Sequence, residues 1–408
     1  DGHGNSNCHG ELSAEHEGKK ITYNGGGHDA GDLSQQTLQT GEVVQALFEL
    51  SQKVKNYDPV FSGRLIEEAC WGLDFILRTR FSDGFRAFSA GCCRWTNNYI
   101  GDFDDEPVRC HNRSIDNWIL AGIQAYSGYC LSEEDPDRSW VCIDTAKQDY
   151  KFALQRFEEV GMENCVLMEH TYNASLSQYY AAASWSASMI YNACGDEWFA
   201  GQAASFASRM LECQDTGEAG LAFSGFFYRD DTKSHIVHFN HQAREHIFAQ
   251  TLQALCSTQK EHPDYDKWVN SLTSYSLYIK AMYKYSAPYG MLPAGLHHIS
   301  EIDDADTFPL MHLYTSYEKE KENYLKQLES GTSLGNGYYI RQFPIWFSFR
   351  GNTAVQLSSA KSASICGSFL NDDELIEIAR SQMYWVSGKN PFRQSLIYGE
   401  GHNYAQHY

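Results

Sequence analysis

One stretch of this chain stands out as able to do chemistry: Gly25-Gly26-Gly27-His28-Asp29-Ala30-Gly31-Asp32, directly ahead of a helical pattern. Two carboxylates three residues apart on a glycine-rich turn can face one cavity. Like charges that close raise one pKa or share a water between them. A carboxylate pair holding a water is what general-base hydrolysis needs. A plainer reading competes for part of the stretch. Asp32 followed by Gln35 matches a helix capping box, and the glycines then simply make the turn. Capping accounts for Asp32 but leaves Asp29 and the glycine run unexplained.

Other groups offer weaker chemistry. Asp102, Asp104, Asp105 and Glu106 form an acidic loop whose hard oxygens suit calcium, without the EF-hand spacing. Beyond a structural calcium there, no cofactor is expected. His238, His241, Glu245 and His246 cluster at a predicted helix start, where His241 and Glu245 would share a face at i, i+4. Their order matches neither H-E-x-x-H nor H-x-x-E-H, which speaks against a metalloprotease. His297 in the loop YGMLPAGLHH is a candidate sugar contact. Trp95, Tyr289 and Trp346 lie in predicted loops and are candidate stacking platforms, whereas Trp71 and Trp185 fall within helices and read as core. Phosphate-cradling and serine-nucleophile motifs are missing from the sequence.

Helices must position these residues. Ile66, Ala69, Cys70, Leu73, Ile76 and Leu77 lie on one helical face. The same period recurs at 113–131, 138–158, 175–194, 196–214, 240–259, 264–284, 314–328, 352–370 and 372–387, for about eleven helices in all. Gly195 followed by Asp196 reads as a helix stop and a helix start, and Asn371-Asp372-Asp373 repeats the form. Repeated helix pairs without a strict residue repeat favour a closed double ring over a solenoid. The intervening pieces, 1–31, 84–112, 219–239, 286–313, 329–350 and 388–408, are irregular, with short strands expected only in 219–239.

The chain has 408 residues, a formal net charge of −20, and 26 Tyr, 22 Phe and 9 Trp. Such a charge repels nucleic acid and anionic membrane surfaces. Abundant aromatics suit a glycan ligand, and equally a large helical core. The twelve cysteines form no C-x-x-C and read mainly as buried thiols. With no run of 18 apolar residues, membrane insertion is not expected.

The segment GGGHDAGDLSQQTLQTGEVVQAL resembles the signature turn of glycoside hydrolase family 9, the inverting cellulase family. LIEEACWGLDFILR at 65–78, GNTAVQLSSAKSASICG at 351–367 and ARSQMYWVSGKNPFRQSLIYGEG at 379–401 resemble that family's next helix, its late helix pair and its Asn-Pro loop. The resemblance spans essentially the whole chain. It implies an all-α (α/α)6 barrel, with residues 1–408 forming a single catalytic domain that is truncated or processed at one or both ends. It also implies a secreted, periplasmic or cell-surface enzyme that cleaves a β-linked glycan and acts on an oligo- or polysaccharide. Asp32 would be the general base, Asp29 would help hold the attacking water, and His28 would line the cleft. The family's acidic Glu motif beyond the Asn-Pro loop is not found. Glu400 is the nearest substitute, and His407 stands roughly where the family has a substrate-binding His-His-Arg. Two other readings stay open: a different six-hairpin enzyme, such as an unsaturated glucuronyl hydrolase or a lyase, and a glycan-binding protein with a dead site.

Overall fold

The computed structural model describes residues 13–28, 35–82, 84–90, 108, 110, 112–163, 174–237, 244–293, 295–304, 308, 316–341 and 352–404. They fall into two compact units, Asp1–Glu163 with Ala182–Ala203, and Asn164–Ala181 with Ala204–Tyr408.

The first unit opens with the hairpin β1 (Ser13–His16) and β2 (Lys19–Thr22). Strand β3 (Gln35–Gln36) leads straight into helix α1 (Thr37–Val54), followed by α2 (Pro59–Arg78). After the hairpin β4 (Arg80–Ser82) and β5 (Phe85–Arg86) comes β6 (Ser89–Ala90), which pairs antiparallel with β3. Helices α3 (Ser114–Leu131) and α4 (Pro136–Val160) form a second hairpin. Local chemistry sets the starts of α2 and α4. In each, an Asp-Pro pair places proline in the first helical turn, and the Asp carboxylate caps a backbone N–H, Asp58 that of Phe61 at 2.9 Å and Asp135 that of Arg138 at 3.0 Å. Helix α3 is buried nearly all round. Helix α4 buries one stripe, Ser139, Cys142, Ala146, Asp149, Tyr150 and Ala153, as an amphipathic helix does. A Cβ on Gly122 would sit 2.4 Å from the Trp185 ring, so only glycine admits that indole.

Helices α5 (Leu176–Cys194) and α6 (Glu197–Glu212) contribute residues to both units. Their junction follows the expected punctuation. Gly195 has φ +69° and donates its N–H to Tyr191 O at 2.7 Å, while the Asp196 carboxylate accepts from Trp198 N–H at 3.1 Å.

The second unit contains α7 (His246–Thr258), α8 (Tyr265–Lys284), α9 (Tyr317–Glu329), α10 (Asn352–Leu370) and α11 (Asp373–Val386). Asp372 caps α11 through Leu375 N–H at 3.2 Å. A three-stranded sheet of β7 (Leu296–His298), β9 (Tyr338–Ile340) and β8 (Thr332–Gly335) covers a cluster of Phe226, Tyr228, Ile236 and Leu296.

Three expectations are corrected. Strands occur in segments read as irregular, while 219–237 holds only isolated bridges such as Tyr228 with Ile236. Aromatic clusters there satisfy packing without a ladder. Helix α7 begins at His246 rather than near 240, with Glu245 at its N-cap, while His241 lies outside the described residues. Trp71 is 49% exposed rather than core, because it lies on the face of α2 opposite Leu65, Ala69, Leu73 and Ile76. Trp185 is buried as expected. Eight described cysteines, Cys70, Cys110, Cys130, Cys142, Cys194, Cys213, Cys256 and Cys366, are free thiols.

Candidate active site

Asp29 and Asp32 lie outside the described residues, but both flanks of their segment are fixed in the first unit. Upstream, Tyr23 is fully buried against Phe75. Its hydroxyl lies 2.9 Å from Thr37 Oγ1 and 3.3 Å from Gln35 O. Burial pushes this phenol far above its ordinary range, so it stays a neutral donor. Gly25 takes φ +86°, where a Cβ would also meet the Arg78 guanidinium at 2.9 Å. That guanidinium binds Asn24 O at 2.7 Å. A Cβ on Gly26 would lie 2.7 Å from the Phe75 ring, so the backbone there runs directly over an aromatic face. Gly26 donates its N–H to Gln35 Oε1 at 2.8 Å, and Gly27 donates to Thr40 Oγ1 at 3.1 Å.

Downstream, β3 pairs Gln35 with Ala90 and Gln36 with Ser89, while Thr37 binds Phe88 O through its N–H and Ala87 O through its hydroxyl. His28 is half-buried and bridges Gln35 across the ends of the segment. These contacts remove the capping reading of Asp32. The N-cap of α1 is Gln36, and Gln35 is an extended, fully buried residue whose amide oxygen holds Gly26. The sequence pair Asp32…Gln35 misled because glutamine's reach serves the turn rather than the helix end.

Behind this framework lies a charge network that the sequence did not reveal. Asp149 on α4 is fully buried and accepts from Arg80 Nε at 2.8 Å, from Gln124 Nε2 at 2.8 Å, and from the Arg86 guanidinium. Asn112 bonds both the N–H and the C=O of Arg86, each at 3.1 Å. Burial lowers the Arg86 pKa, and the adjoining Asp149 carboxylate opposes that shift. The network pins β5, which precedes the β6 strand paired with β3.

In the second unit, Glu400 is exposed at the tip of a loop, between Gly399 at φ +78° and Gly401 at φ +89°. Asn390, of the Asn-Pro pair, ties the loop base by accepting from Phe392 and Gln394 N–H and donating to Trp385 and Gln394 carbonyls. Ser395 N–H bonds Asn403 O at 2.7 Å across the loop. Tyr289 is 61% exposed, as a stacking platform requires. His297 does not fit its expected role. It is completely buried in β7, edge-on to Tyr324, while its half-exposed neighbour His298 contacts Ser300 and Asn336 through its ring nitrogens. Trp95, Trp346, His407, His238, His241 and the acidic loop 102–106 lie outside the described residues. Among the described residues, no group of His, Cys, Asp or Glu could hold a metal ion, and no helix is long and apolar enough to cross a membrane.

One carboxyl went unrecognised as distinctive. Glu245 lies in an aromatic-lined cavity of about 50 Å³, and burial pushes its pKa up to about 7. The only sequence signal was its place at a helix start among histidines.

Paired helical hairpins with few strands place the chain in the all-α (α/α)6 class. The glycosyl hydrolase family 9 model matches residues 2–408, and the chain belongs to that family, whose members cleave β-linked glucans. No curated protein matches by sequence. Among solved structures, the chain is similar to the cellulase Cel9M of C. cellulolyticum, with a TM-score of 0.55 and 14% identity over 94% of this chain and 72% of that one. It is also similar to the endoglucanase of the termite Nasutitermes takasagoensis, with a TM-score of 0.54, 14% identity, and 94% and 71% of the two chains covered. A third is endoglucanase CelQ from Clostridium thermocellum, complexed with cellotriose, at 0.56 and 15% over 93% and 52%. At these identities the likeness speaks for the fold.

Proposed function

We propose that this family 9 enzyme hydrolyses a β-1,4-glucan-like chain with inversion, and that Asp32 is its general base. Asp32 takes a proton from a water as the water oxygen attacks the anomeric carbon, and Asp29 orients that water. A carboxylic acid protonates the departing glycosidic oxygen, so the glycosidic bond breaks as the new C–O bond forms on the opposite face. Glu400, the only glutamate close behind the Asn-Pro loop, is the candidate acid from the C-terminal segment. Its exposure on a loop tip means that substrate would have to supply the desolvation an acid needs. His28, Tyr289, Trp95, Trp346 and His407 are the substrate contacts in this reading. Glucan chains are also what the complexed relatives hold, cellobiose in one and cellotriose in another. A polymeric substrate goes with secretion or cell-surface display.

The bracing of both flanks of the Gly25–Asp32 segment carries the reading. A hydrolytic water must be held to a fraction of an ångström, and positioned carboxylates need rigid supports. The test is Asp32→Asn. General-base loss lowers turnover on soluble β-glucan by about 10²–10⁴-fold while oligosaccharide binding survives. Hydrolysis within a few-fold of wild type would sink the assignment. Oligosaccharide binding by the wild type with no reducing ends released would favour the dead-site alternative.

A further inference from the structure

We propose that Gln35 is a positioning residue for hydrolysis: its side-chain amide clamps the glycine turn through Oε1 and donates through Nε2 to the carboxylate pair of Asp29 and Asp32. The proposal rests on the reading of that pair as base and water holder, and adds a residue to it.

Three observations carry it. The first is an unused donor. Gln35 is completely buried, and its Nε2 has no hydrogen-bond partner among the described residues. Buried polar groups in native chains are overwhelmingly paired, so a spare amide nitrogen calls for an acceptor close by. The second is a fixed orientation. Gly26 N–H, 2.8 Å away, needs an acceptor, so Oε1 faces it and Nε2 faces elsewhere. The arm is also held at its root. Gln35 pairs with Ala90 in β3, and its carbonyl accepts from the Tyr23 hydroxyl at 3.3 Å. The third is place. His28 and Gln35 bridge, which closes the segment containing both aspartates. Asp29 follows Gly26 by three residues, and Asp32 precedes Gln35 by three. Chain connectivity alone keeps each aspartate backbone within about 10 Å of a residue that the amide holds or belongs to.

Neighbouring donors are already engaged. The Tyr23 hydroxyl serves Thr37 and Gln35, Gly27 N–H serves Thr40, and the Thr37 hydroxyl serves Ala87 O. Nε2 is left for the carboxylates. A neutral N–H donor favours the ionised form of a carboxylate and fixes its direction without adding charge. A general base needs both, because it must be ionised to take a proton and aimed at the water that gives it.

The test is kcat and KM on soluble β-glucan at pH 7 for full-length wild type, Gln35→Glu and Gln35→Met, with thermal midpoints measured alongside. Gln35→Glu keeps an oxygen for Gly26 N–H and loses the N–H donor, whereas Gln35→Met loses both. Each variant should lose about ten-fold or more in kcat with KM within about three-fold, and Gln35→Glu should keep a cooperative thermal transition. A clamp with no further role would leave Gln35→Glu within about two-fold of wild-type kcat, and that result overturns the proposal, as does a loss confined to KM. Should the variants fail to fold, side-chain 15N-glutamine spectra decide. The Gln35 Nε2 resonance of wild type should move in Asp29→Asn or Asp32→Asn by more than the other glutamine resonances, and no such movement in either overturns the proposal. The general-base reading fails on a different measurement, near-normal turnover by Asp32→Asn.

Discussion

Two buried acidic groups in this protein live in opposite surroundings. Asp149, in the first unit, is met by Arg80, Arg86 and Gln124, which donate to both its oxygens. Glu245, in the second, leaves Oε2 without a partner among the described residues and faces aromatic rings. A satisfied buried carboxylate fixes geometry, because moving it breaks several charged hydrogen bonds at once. An unsatisfied one is held in reserve for a proton or a ligand. The first unit therefore holds a rigid charge network at β4 and β5, and the second holds an acid whose charge changes near neutrality.

Breaking the satisfied side should have the larger effect. Asp149→Ala strands Arg86 in the interior and is expected to destabilise the fold by about 3–5 kcal/mol, read from the urea midpoint at pH 7. A loss below about 1 kcal/mol would mean that the network is decorative. The unsatisfied side should show up in pH dependence. Its folded pKa, about 7, lies above the ordinary 4.5, so the folded state holds the proton more tightly than the unfolded chain. Stability from this group is present below about pH 4.5, declines as pH rises toward 7, and is lost above that. Glu245→Gln does not titrate, so it should gain on wild type between pH 5 and 8, by at most about 3 kcal/mol. Parallel stability–pH curves for the two proteins would refute the assigned environment. The smallest effect sharpens the framework side. Tyr23→Phe removes one hydroxyl shared with Thr37 and Gln35, which costs about 1 kcal/mol in stability. If the turn's bracing matters to catalysis, kcat should fall further than that loss of folding accounts for, with KM little changed. Unaltered kcat would show that Tyr23 supports the fold alone.

Much of the local structure was legible because its causes are local. Asp-Pro pairs start α2 and α4, and Gly195 with Asp196 separates α5 from α6. What misled was any residue whose role depends on a distant partner. Gln35 looked like part of a capping box and proved to be the acceptor for Gly26. Trp71 and Trp185 looked alike in helical sequence, yet one faces solvent and the other fills the gap left by Gly122. His297 read as a loop residue and is buried in β7, in a sheet that β8 (Thr332–Gly335) and β9 (Tyr338–Ile340) complete from far along the chain.

The amino-acid order alone determined the helical class and the punctuation of the hairpins, since each follows from residues within a turn or two of one another. The electrostatic character of the buried carboxylates was decided only in three dimensions. Asp149 is joined by arginines more than sixty positions away, and Glu245 by rings from Phe226 to Tyr278. Desolvation and pairing are properties of surroundings, and folding brings those surroundings together.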